Sequence, residues 1–570
     1  MSNPKIKVMS DSLKSEPLFV GISLALIFCY NLVVGFQGFD MSDEGWVLTG
    51  YQQIFLDPLS VKYLFLYYNT QLIGGVANTL CGGLGILGFR IMTAITITLL
   101  SFVVFLLLDG LINKWAILSG VFLALLCSDY GILVFHHNYF SALLGVLLVL
   151  FLYRGIVGGG HKLFMLLAGA FYGLEIFARL PNVTLGLLIV TVFIGKNSLE
   201  EKFQKFFYAF AGFLLAIIFE LLLMKVLGHG HIFLDSINDM LSAGKDSDST
   251  HNISHMMQVY SSDYKQILKI VLILLCPIWV FRKTIRINNK VVTNTVNVCI
   301  MLFAFGLMRG HESSYLLYGF CTMSLLASLS HYRCDRRVVV LSFLALIYIY
   351  TQVLGSDQGV RNMGPNSLYW VLPYSLGMCA KLLKNKIDNV RRYYAGFLIC
   401  VGLLYVGRST AHIINGCYYD FGSRFEKRYL IDNSLATTYT TKRNIELLNP
   451  MLHELMKYVK PNDYLLCFQS IPMVNFLTQS RPYLYNSWVW TYDPSNFRKQ
   501  IGIAEKEHDT LPIIVRQKSE LSCWYKYDEN WNNELFPYKK KRTICFNQFI
   551  CKHHYEVVWE NEVFQILKVK

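Results

Sequence analysis

One short stretch near the start of the chain decides how the rest is interpreted: Phe39-Asp40-Met41-Ser42-Asp43-Glu44-Gly45-Trp46. It directly follows the first apolar run and places three carboxylates within five positions. Residues 46–55 then carry apolar side chains at roughly helical spacing and no charge, which predicts a short helix lying in the membrane interface. Because carboxylates at a water–lipid boundary are costly to keep, the pattern indicates acids with a function.

The composition is that of a protein with many membrane spans. Of 570 residues, 54% are hydrophobic and only 16% are charged, whereas soluble proteins carry roughly 25% charged residues. Apolar runs of about 17–22 residues recur between residues 17 and 408, and each can cross a hydrocarbon core of roughly 30 Å. The first run, 17–36, is too long for a signal h-region and lacks a small-residue cleavage site, so we interpret it as a span.

The fold class predicted is a polytopic, mainly α-helical transmembrane bundle with an extracytoplasmic α/β domain at the carboxyl-terminal end. We predict about thirteen spans, at 17–37, 89–109, 115–134, 138–155, 163–178, 183–196, 206–226, 265–281, 291–308, 314–331, 337–354, 368–382 and 393–409. With the amino terminus in the cytoplasm, lysine and arginine then fall mostly in the inner loops, as the positive-inside rule expects. The large outer loop at about 228–264 is mainly acidic.

Residues 71–88 are apolar but rich in glycine, and counting them as a span would invert every later loop against the charge bias. We therefore predict re-entrant or interfacial helices here, within a first outer loop at 38–88. This gives a membrane domain at 1–409 and an outer α/β domain at 410–570. In the outer domain the pattern predicts a helix at 442–458, strands at 463–468 and 511–515, and a final hairpin of 555–559 with 563–567.

The net charge of +14 does not indicate a nucleic-acid partner, because the basic residues crowd short loops and no recognised nucleic-acid module is present. Nine of the fourteen cysteines lie in or beside apolar runs and read as small core residues. The polar tail leaves room for one or two disulfides if it is outside the cytoplasm, with cysteines at Cys417, Cys467, Cys523, Cys545 and Cys551.

Several short motifs at span ends carry a resemblance to a known family. They are the pair Asp43-Glu44, Arg90 at the start of the second span, Arg179-Leu180-Pro181-Asn182 after the fifth span, and Arg309-Gly310-His311 ahead of Tyr315. With this layout the chain resembles the GT-C superfamily, integral-membrane glycosyltransferases that use polyprenyl-phosphate sugars. The layouts most similar to it are the protein O-mannosyltransferases and the aminoarabinose–lipid A transferases. Where the latter carry a second acidic–basic–proline motif, this chain has Tyr67-Tyr68-Asn69-Thr70-Gln71.

The resemblance implies a role for each acid of the first loop. Asp43 is expected to be the general base that activates an acceptor hydroxyl. Glu44 or Asp40 would be its neighbour, and a nearby carboxylate raises the pKa of such a base. The residues also allow a purely structural interpretation, in which Ser42 or Asp43 caps the amino-terminal end of the interfacial helix.

The departing phosphate needs cations at the outer face, and Arg179, Arg309 and Arg361 are the candidates. Arginines at span ends also lie there simply as interface residues. The remaining candidate substrate-binding residues sit at span ends or in outer loops; they are Arg90, His136, His137, Asn138, His311 and Asp357. The sequence indicates no certain cofactor, and residue types and spacing leave a divalent metal open, with ligands at His136, His137 and Asp129 or at His229, His231 and Asp235.

The function expected is inverting transfer of a sugar from a polyprenyl-phosphate donor to a lipid, glycan or protein acceptor at the outer face, most simply of a bacterial inner membrane. Membrane lipids are the other expected partner. The alternatives are a transporter or flippase, or a polymerase or ligase, of lipid-linked glycans, and a non-catalytic sugar-lipid scaffold. Transporters tend to carry internal repeats and ionisable residues in mid-span, whereas most spans here are uncharged at their centres.

Overall fold

The computed structural model describes residues 17–127, 131–158, 161–194, 198–287, 289–384, 389–518 and 537–570. Its first part is a helical bundle. The helices before the large outer loop are α1 Pro17–Gly35, α2 Asp43–Gln53, α3 Tyr68–Cys81, α4 Gly85–Leu108, α5 Lys114–Leu125, α6 His137–Val157, α7 His161–Ala178 and α8 Leu199–Leu227. The helices from the start of that loop onward are α9 Gly230–Ala243, α10 Ile253–Ile287, α11 Lys290–Gly310, α12 Ser313–His331, α13 Arg336–Thr351, α14 Val360–Lys384 and α15 Asn389–Asn415. Three 3₁₀ segments, Pro58–Tyr67, Gly82–Leu84 and Leu180–Phe193, connect them.

Within the described residues, six helical segments are long and apolar enough to cross a membrane, judged by length and composition: Pro17–Gly35, Pro58–Leu108, His137–Val157, Leu199–Leu227, Ile253–Thr284 and Asn389–Asn415. The chain is therefore a multi-pass membrane protein. The count of about thirteen spans is not confirmed. Helices do occupy the other predicted positions, but they are shorter or more polar: α5 ends at Leu125, and α14 contains Pro365 and Pro373.

The glycine-rich stretch at 71–88 is not one helix. It comprises the end of α3, a 3₁₀ turn and the start of α4. The break falls at Gly85, where φ is +55° and an added Cβ would lie 2.3 Å from the Leu435 carbonyl oxygen. Only glycine fits such a backbone against such a close neighbour, so the outer domain touches the chain at this turn.

Close helix packing in the bundle depends on small residues. A Cβ at Gly169 of α7 would meet the Ala209 carbonyl oxygen at 1.7 Å, and one at Gly212 of α8 would meet the Leu166 carbonyl oxygen at 1.9 Å. The two backbones therefore approach each other on both sides, as small residues allow in membrane helices. A large apolar core fills the bundle, with Leu188 and Trp370 among its fully buried members.

The chain from residue 410 onward, called the outer domain after its predicted side of the membrane, contains a mixed five-stranded sheet. Its elements are α16 Lys442–Leu455, β1 Tyr464–Phe468, α17 Met473–Thr478, β2 Arg481–Pro482, α18 Pro494–Glu507, β3 Ile513–Gln517, α19 Pro537–Lys552, β4 Tyr555–Glu560 and β5 Phe564–Val569. The strand order is β2-β1-β3-β5-β4. β1 pairs in parallel with β2 and β3, while β5 runs antiparallel to β3 and β4. The predicted strands and the final hairpin are present within a few residues of their expected limits.

The outer domain and the first outer loop share one hydrophobic core. Phe39 and Trp46 from the loop are buried together with Leu448, Met473 and Trp488 from the domain. The α2 and α17 backbones are in direct contact, because a Cβ at Gly45 would lie 2.1 Å from the Met473 nitrogen. The acidic stretch is thus held between the membrane bundle and the domain that follows it.

The cysteines that the structure describes are all free thiols, so the expected disulfides are not formed among them. Cys467 and Cys545 are buried, and Cys551 is exposed on α19. Cys523 lies outside the described residues.

Candidate functional site

The acidic stretch, residues 39–46, leads into α2, and Asp40 is the residue whose side chain caps the amino-terminal end of that helix. One oxygen of Asp40 accepts hydrogen bonds from the Ser42 nitrogen and hydroxyl, each at 2.8 Å, and the other accepts from the Glu44 nitrogen at 2.9 Å. Ser42 makes no side-chain cap of its own. Burial, with repulsion from Asp43 and Glu44, raises the pKa of Asp40 well above its usual range. The capping role expected of Ser42 or Asp43 thus belongs to Asp40.

Glu44 is tied into the protein by Arg90, which lies on α4. The two side chains form an ion pair of 2.7 Å, and each is 2% exposed. The other Glu44 oxygen accepts from the Leu133 nitrogen at 3.2 Å. Arg90 also donates to three main-chain carbonyls at the end of the first apolar run, those of Gly35, Gln37 and Gly38. Both predicted site residues are therefore committed to joining α1, α2 and α4.

Asp43 differs from its two acidic neighbours. Its side chain is partly exposed, and the one hydrogen bond that it receives from the described residues comes from the Tyr418 hydroxyl at 2.8 Å. Burial raises the pKa of Asp43 to about 7, with Tyr418 opposing the rise and Glu44 adding to it. A carboxyl group with this pKa exchanges a proton near neutral pH, as a general base must.

Tyr67, at the end of the Pro58–Tyr67 segment, links Asp43 to the other outer loops. The Tyr67 hydroxyl lies within electrostatic reach of Asp43, Arg179 and Asp357. Its ring stacks on His137, with ring centroids 3.8 Å apart. Four of the predicted site residues are therefore grouped around one tyrosine that the motif analysis did not select.

Arg179 lies between α7 and the Leu180–Phe193 segment and is buried. One terminal nitrogen, Nη1, donates to the Asn182 side chain at 2.6 Å and to the carbonyls of Gln352 and Leu354 at 3.2 Å. Its Nη2 and Nε have no hydrogen-bond partner among the described residues. The guanidinium is thus anchored at one corner and keeps donors for an anion, which suits phosphate binding.

The loop at 352–359 contacts Arg179 directly, through the carbonyls of Gln352 and Leu354. Asp357 in this loop is half-buried and receives no hydrogen bond from the described residues. It lies within electrostatic reach of Tyr63, Tyr67 and Tyr260. A carboxylate placed in this way is able to accept hydrogen bonds from sugar hydroxyls.

The residues at the start of α6 play different parts. His137 stacks on Tyr67 and approaches Trp46 at 6.5 Å between ring centroids. His136 is buried and packs edge-on against Tyr139. Asn138 donates to the Asn362 side chain at 3.4 Å, which joins the starts of α6 and α14. Of the three, His137 is the one grouped with Tyr67.

Within the described part of the chain, the contacts of three other predicted residues lie outside this group. Arg361 forms an ion pair of 2.7 Å with Glu312. The Arg309 guanidinium lies over the Phe305 ring of its own helix, at 5.5 Å. His311 is held at the end of α11, where its carbonyl accepts from Arg408 of α15. The contacts described for Arg309 and His311 are thus local or with the last long helix.

Two tyrosines of the site, Tyr67 and Tyr418, were missed by the motif analysis. Tyr67 falls where the aminoarabinose–lipid A transferases, which the chain resembles, carry a different motif, and that departure was the available signal. Tyr418 lies in Cys417-Tyr418-Tyr419-Asp420, just after the last apolar run. Two tyrosines beside an acid, just after an apolar run, have a composition similar to that of the first loop. This similarity does not predict which residue Tyr418 contacts.

No metal site is formed by the residues that the structure describes: they contain no group of three histidine, cysteine, aspartate or glutamate side chains that could hold an ion. His229 instead faces the Tyr68 hydroxyl at 3.2 Å. Asp129, proposed as a ligand together with His136 and His137, lies outside the described residues.

No family model and no curated protein matches this sequence. Solved structures do match along nearly the whole chain. The apo structure of ArnT from Cupriavidus metallidurans has a TM-score of 0.50 at 11% identity, over 95% of this chain and 97% of that one. ArnT bound to undecaprenyl phosphate gives 0.48 at 10% identity, over 97% and 98%. An oligosaccharyltransferase from Archaeoglobus fulgidus, in complex with zinc and sulfate, gives 0.46 at 12% identity, over 87% and 68%. The predicted resemblance is thus confirmed at the level of fold alone: the chain has the fold of ArnT, the aminoarabinose transferase.

Proposed function

We propose that the chain is a membrane glycosyltransferase that moves a sugar from a polyprenyl-phosphate donor to a lipid, glycan or protein acceptor at the outer face. Transfer inverts the anomeric carbon in a single displacement, with Asp43 as the general base. The single observation that carries the proposal is the state of Asp43. It is the partly exposed carboxylate of an otherwise buried acidic stretch, and its pKa is raised to about 7.

The chemistry requires one base and no covalent intermediate. The Asp43 carboxylate accepts the proton of the acceptor hydroxyl while that oxygen forms a bond to the anomeric carbon. The bond between the anomeric carbon and the phosphate oxygen breaks at the same time, and its electron pair leaves with the phosphate. The products are the glycosylated acceptor, polyprenyl phosphate and a protonated Asp43, which loses its proton to water.

Arg179 is the residue proposed to stabilise the departing phosphate, because its Nη1 atom is anchored while Nε and Nη2 have no described partner. Asp357 and the Tyr67–His137 pair would contact the sugar, since Tyr67 lies within electrostatic reach of Arg179, Asp357 and Asp43 and stacks on His137. Glu44 and Arg90 are assigned a positioning role by their buried ion pair. Arg309, His311 and Arg361 remain candidates for contacts with a long donor or acceptor outside this group.

The donor class has a direct starting point. ArnT, whose fold the chain shares, has been solved with undecaprenyl phosphate bound, so lipids of that class are the first to test. The orientation proposed has the amino terminus in the cytoplasm and the outer domain outside it, in a bacterial inner membrane. In that orientation the acidic stretch and the outer domain face the same compartment, as their shared core requires.

The experiment uses purified full-length protein in lipid nanodiscs, offered a panel of radiolabelled polyprenyl-phosphate sugars with and without membrane extract as acceptor. The readout is release of polyprenyl phosphate. Wild-type protein should release it, and Asp43→Asn should lower the rate by about 10²–10⁴-fold, the usual contribution of a general base. The matched control is Asp432→Asn, at an exposed aspartate of the outer domain, which should keep the wild-type rate.

Other outcomes point to other assignments. Equal release by wild type and Asp43→Asn would remove Asp43 as the base and leave the reaction class standing. No release from any donor, by protein with a cooperative thermal transition, would reject the transferase and favour the transporter, flippase or scaffold alternatives. A flipping assay with the same labelled donors in liposomes then separates those alternatives.

A further inference from the structure

The segment that follows the last long helix folds back onto the acidic stretch. We propose that Tyr418 is a positioning residue for the general base, and that the buried Asp420–Lys427 pair holds Tyr418 in place. The inference rests on the proposed function in one respect, since it takes Asp43 to be the base. It adds a role for three residues of the segment at 417–427, which none of the motifs selected.

The first observation is the hydrogen bond between Tyr418 and Asp43. The phenol donates to Asp43 Oδ2 at 2.8 Å across 375 positions of sequence. The described part of the chain offers the Asp43 carboxylate no second donor. A carboxylate with one fixed donor has one preferred rotamer, and its other oxygen is left to receive a proton. Tyr418 therefore decides which way the base points.

The second observation is independent of Tyr418 and concerns Asp420. Its carboxylate is fully buried and accepts from the Phe39 nitrogen, the Thr440 hydroxyl and the Asn444 amide, each at 2.9 Å. Lys427, also fully buried, completes the shell at 3.2 Å. Phe39 is the first residue of the acidic stretch, so the segment contacts that stretch at two points, at Phe39 through Asp420 and at Asp43 through Tyr418.

The backbones of the two segments are also in contact. Gly38 has a φ of +99°, and a Cβ there would lie 2.8 Å from the Cys417 Cβ. The Gly38 nitrogen donates to the Tyr439 carbonyl, and the Tyr439 nitrogen donates to the Phe36 carbonyl, both at 2.9 Å. The link into α2 and the link out of α15 are therefore packed as one unit, which gives Tyr418 a fixed position.

The hydrogen bond has a consequence for the protonation of Asp43. A donor to a carboxylate favours its charged form, so the Tyr418 phenol lowers the pKa of Asp43 relative to burial alone. Among the described residues, the other titratable groups facing Asp43 are Asp40 and Glu44, from its own stretch, and Tyr67. Removing the phenolic oxygen leaves these in place and should move the pKa of Asp43 upward.

The test measures Asp43 directly. Dicyclohexylcarbodiimide reacts with protonated carboxyl groups in apolar surroundings, and peptide mass spectrometry locates the adduct. We expect the labelling of Asp43 in wild-type protein to fall as pH rises, with a midpoint near pH 7. In Tyr418→Phe this midpoint should rise by about one pH unit. Tyr429→Phe is the matched control, because Tyr429 is exposed and bonds to Thr440 only through its main chain.

Transfer kinetics provide a second readout. In Tyr418→Phe the acid limb of the pH–rate profile should shift upward with the labelling midpoint. The plateau kcat should fall about tenfold through loss of alignment, with KM for the donor unchanged. If Tyr418 had only a structural role, Tyr418→Phe would lower the thermal midpoint and leave the pH dependence of labelling and of transfer unchanged. An unshifted labelling midpoint in folded Tyr418→Phe overturns the role of Tyr418.

The anchoring pair is tested in the same way. Asp420→Asn should give the upward midpoint shift seen with Tyr418→Phe, and if it fails to fold, the double variant Asp420→Asn/Lys427→Met removes both charges together. A folded variant of either kind with the wild-type midpoint and rate overturns the anchoring role. Labelling needs no catalysis, so the shift decides the inference even if no donor is turned over. Conversely, if a donor is turned over but the labelling midpoint of Asp43 is not shifted in Tyr418→Phe, the inference is rejected and the proposed function stands.

Discussion

At the residue scale, the pKa of Asp43 sets the pH dependence of the proposed reaction. Burial raises this pKa to about 7, and a general base acts only when it is ionised. The transfer rate should therefore rise with pH through about 7, and fall roughly tenfold for each unit below it. Initial rates measured from about pH 5 to pH 9 check this. A rate that stays level down to pH 5 would show that the base is a group with an ordinary carboxyl pKa.

The ion pair between Glu44 and Arg90 gives a prediction about stability. Each side chain is 2% exposed, so Glu44→Gln leaves the Arg90 guanidinium buried without its counter-charge. Breaking such a pair by removing one partner costs about 3–5 kcal/mol in the free energy of unfolding. Denaturant unfolding in detergent micelles measures the difference.

The contrast for Glu44 is the exposed pair of Arg443 and Glu562, whose side chains are 68% and 64% exposed at 3.5 Å. Glu562→Gln should change the free energy of unfolding by about 0–1 kcal/mol, as exposed pairs do. If both glutamine variants unfold alike, the Glu44–Arg90 pair does not have the positioning role assigned to it.

The acidic stretch also shows what residue patterns can and cannot predict. The sequence indicated that its carboxylates had a function, because three acids at a membrane boundary need a reason. Residue spacing alone did not assign a role to each acid; the expectation that Asp43 is the base came from the family resemblance. Asp40 caps the helix, Glu44 pairs with Arg90 and Asp43 remains partly exposed. The Asp40 cap is local, but the roles of Glu44 and Asp43 depend on Arg90 and Tyr418 from other elements, and no local spacing encodes those contacts.

At the element scale, the contact of α2 with α17 depends on a glycine. A Cβ at Gly45 would lie 2.1 Å from the Met473 nitrogen and 2.3 Å from its Cα. Because the obstacle is backbone, Gly45→Ala should force the two helices apart and lower the thermal midpoint. We expect a loss of about 1–3 kcal/mol, typical of overpacking, together with reduced donor turnover, since Asp43 begins the same helix.

Gly502 of α18 provides the matched control. It also lies within a helix, but an added Cβ there meets nothing within 4 Å. Gly502→Ala should therefore stabilise the protein by up to about 1 kcal/mol through the helix propensity of alanine. Equal thermal midpoints for the two alanine variants would mean that α2 and α17 are not packed as closely as the structure has them.

The elements themselves were largely predictable, because apolar runs and strand-like alternation are properties of short windows. The residues at which helices begin and end, and the type of helix, were less predictable. The expected span at 183–196 is the 3₁₀ segment Leu180–Phe193, which begins beside Pro181, and the expected span at 115–134 ends as a helix at Leu125. Hydropathy detects that a segment is apolar, but it does not specify the hydrogen-bond pattern or where a turn interrupts it.

At the scale of the whole molecule, the candidate site is assembled from parts that are distant in sequence. Tyr418 meets Asp43 across 375 positions, and Tyr67 brings together Asp43, Arg179 and Asp357 from three separate segments. The family resemblance supplied Asp43 and Arg179 as candidates. Tyr418 reaches Asp43 because the outer domain docks onto α2, whereas Tyr67 comes from the Pro58–Tyr67 segment of the first outer loop; only the folded chain shows these contacts.

The orientation of the molecule can be tested with two of its own cysteines. Cys334 is exposed between α12 and α13, beside the basic residues of a predicted inner loop, and Cys551 is exposed on α19 of the outer domain. Between them lie α13, α14 and α15, of which only α15 is both long and apolar enough to count as a span by composition. If all three cross the bilayer, the two thiols lie on opposite sides.

Single-cysteine variants that retain either Cys334 or Cys551 settle this point with a membrane-impermeant maleimide applied to spheroplasts. Cys551 should be labelled in intact spheroplasts, and Cys334 only after permeabilisation, which serves as the control for reactivity. Labelling of both from outside would mean that an even number of the helices from α13 to α15 cross. The positive-inside assignment would then fail for the loop at 333–337, and the count of about thirteen spans with it. The reverse pattern would place the outer domain, and the acidic stretch packed against it, in the cytoplasm.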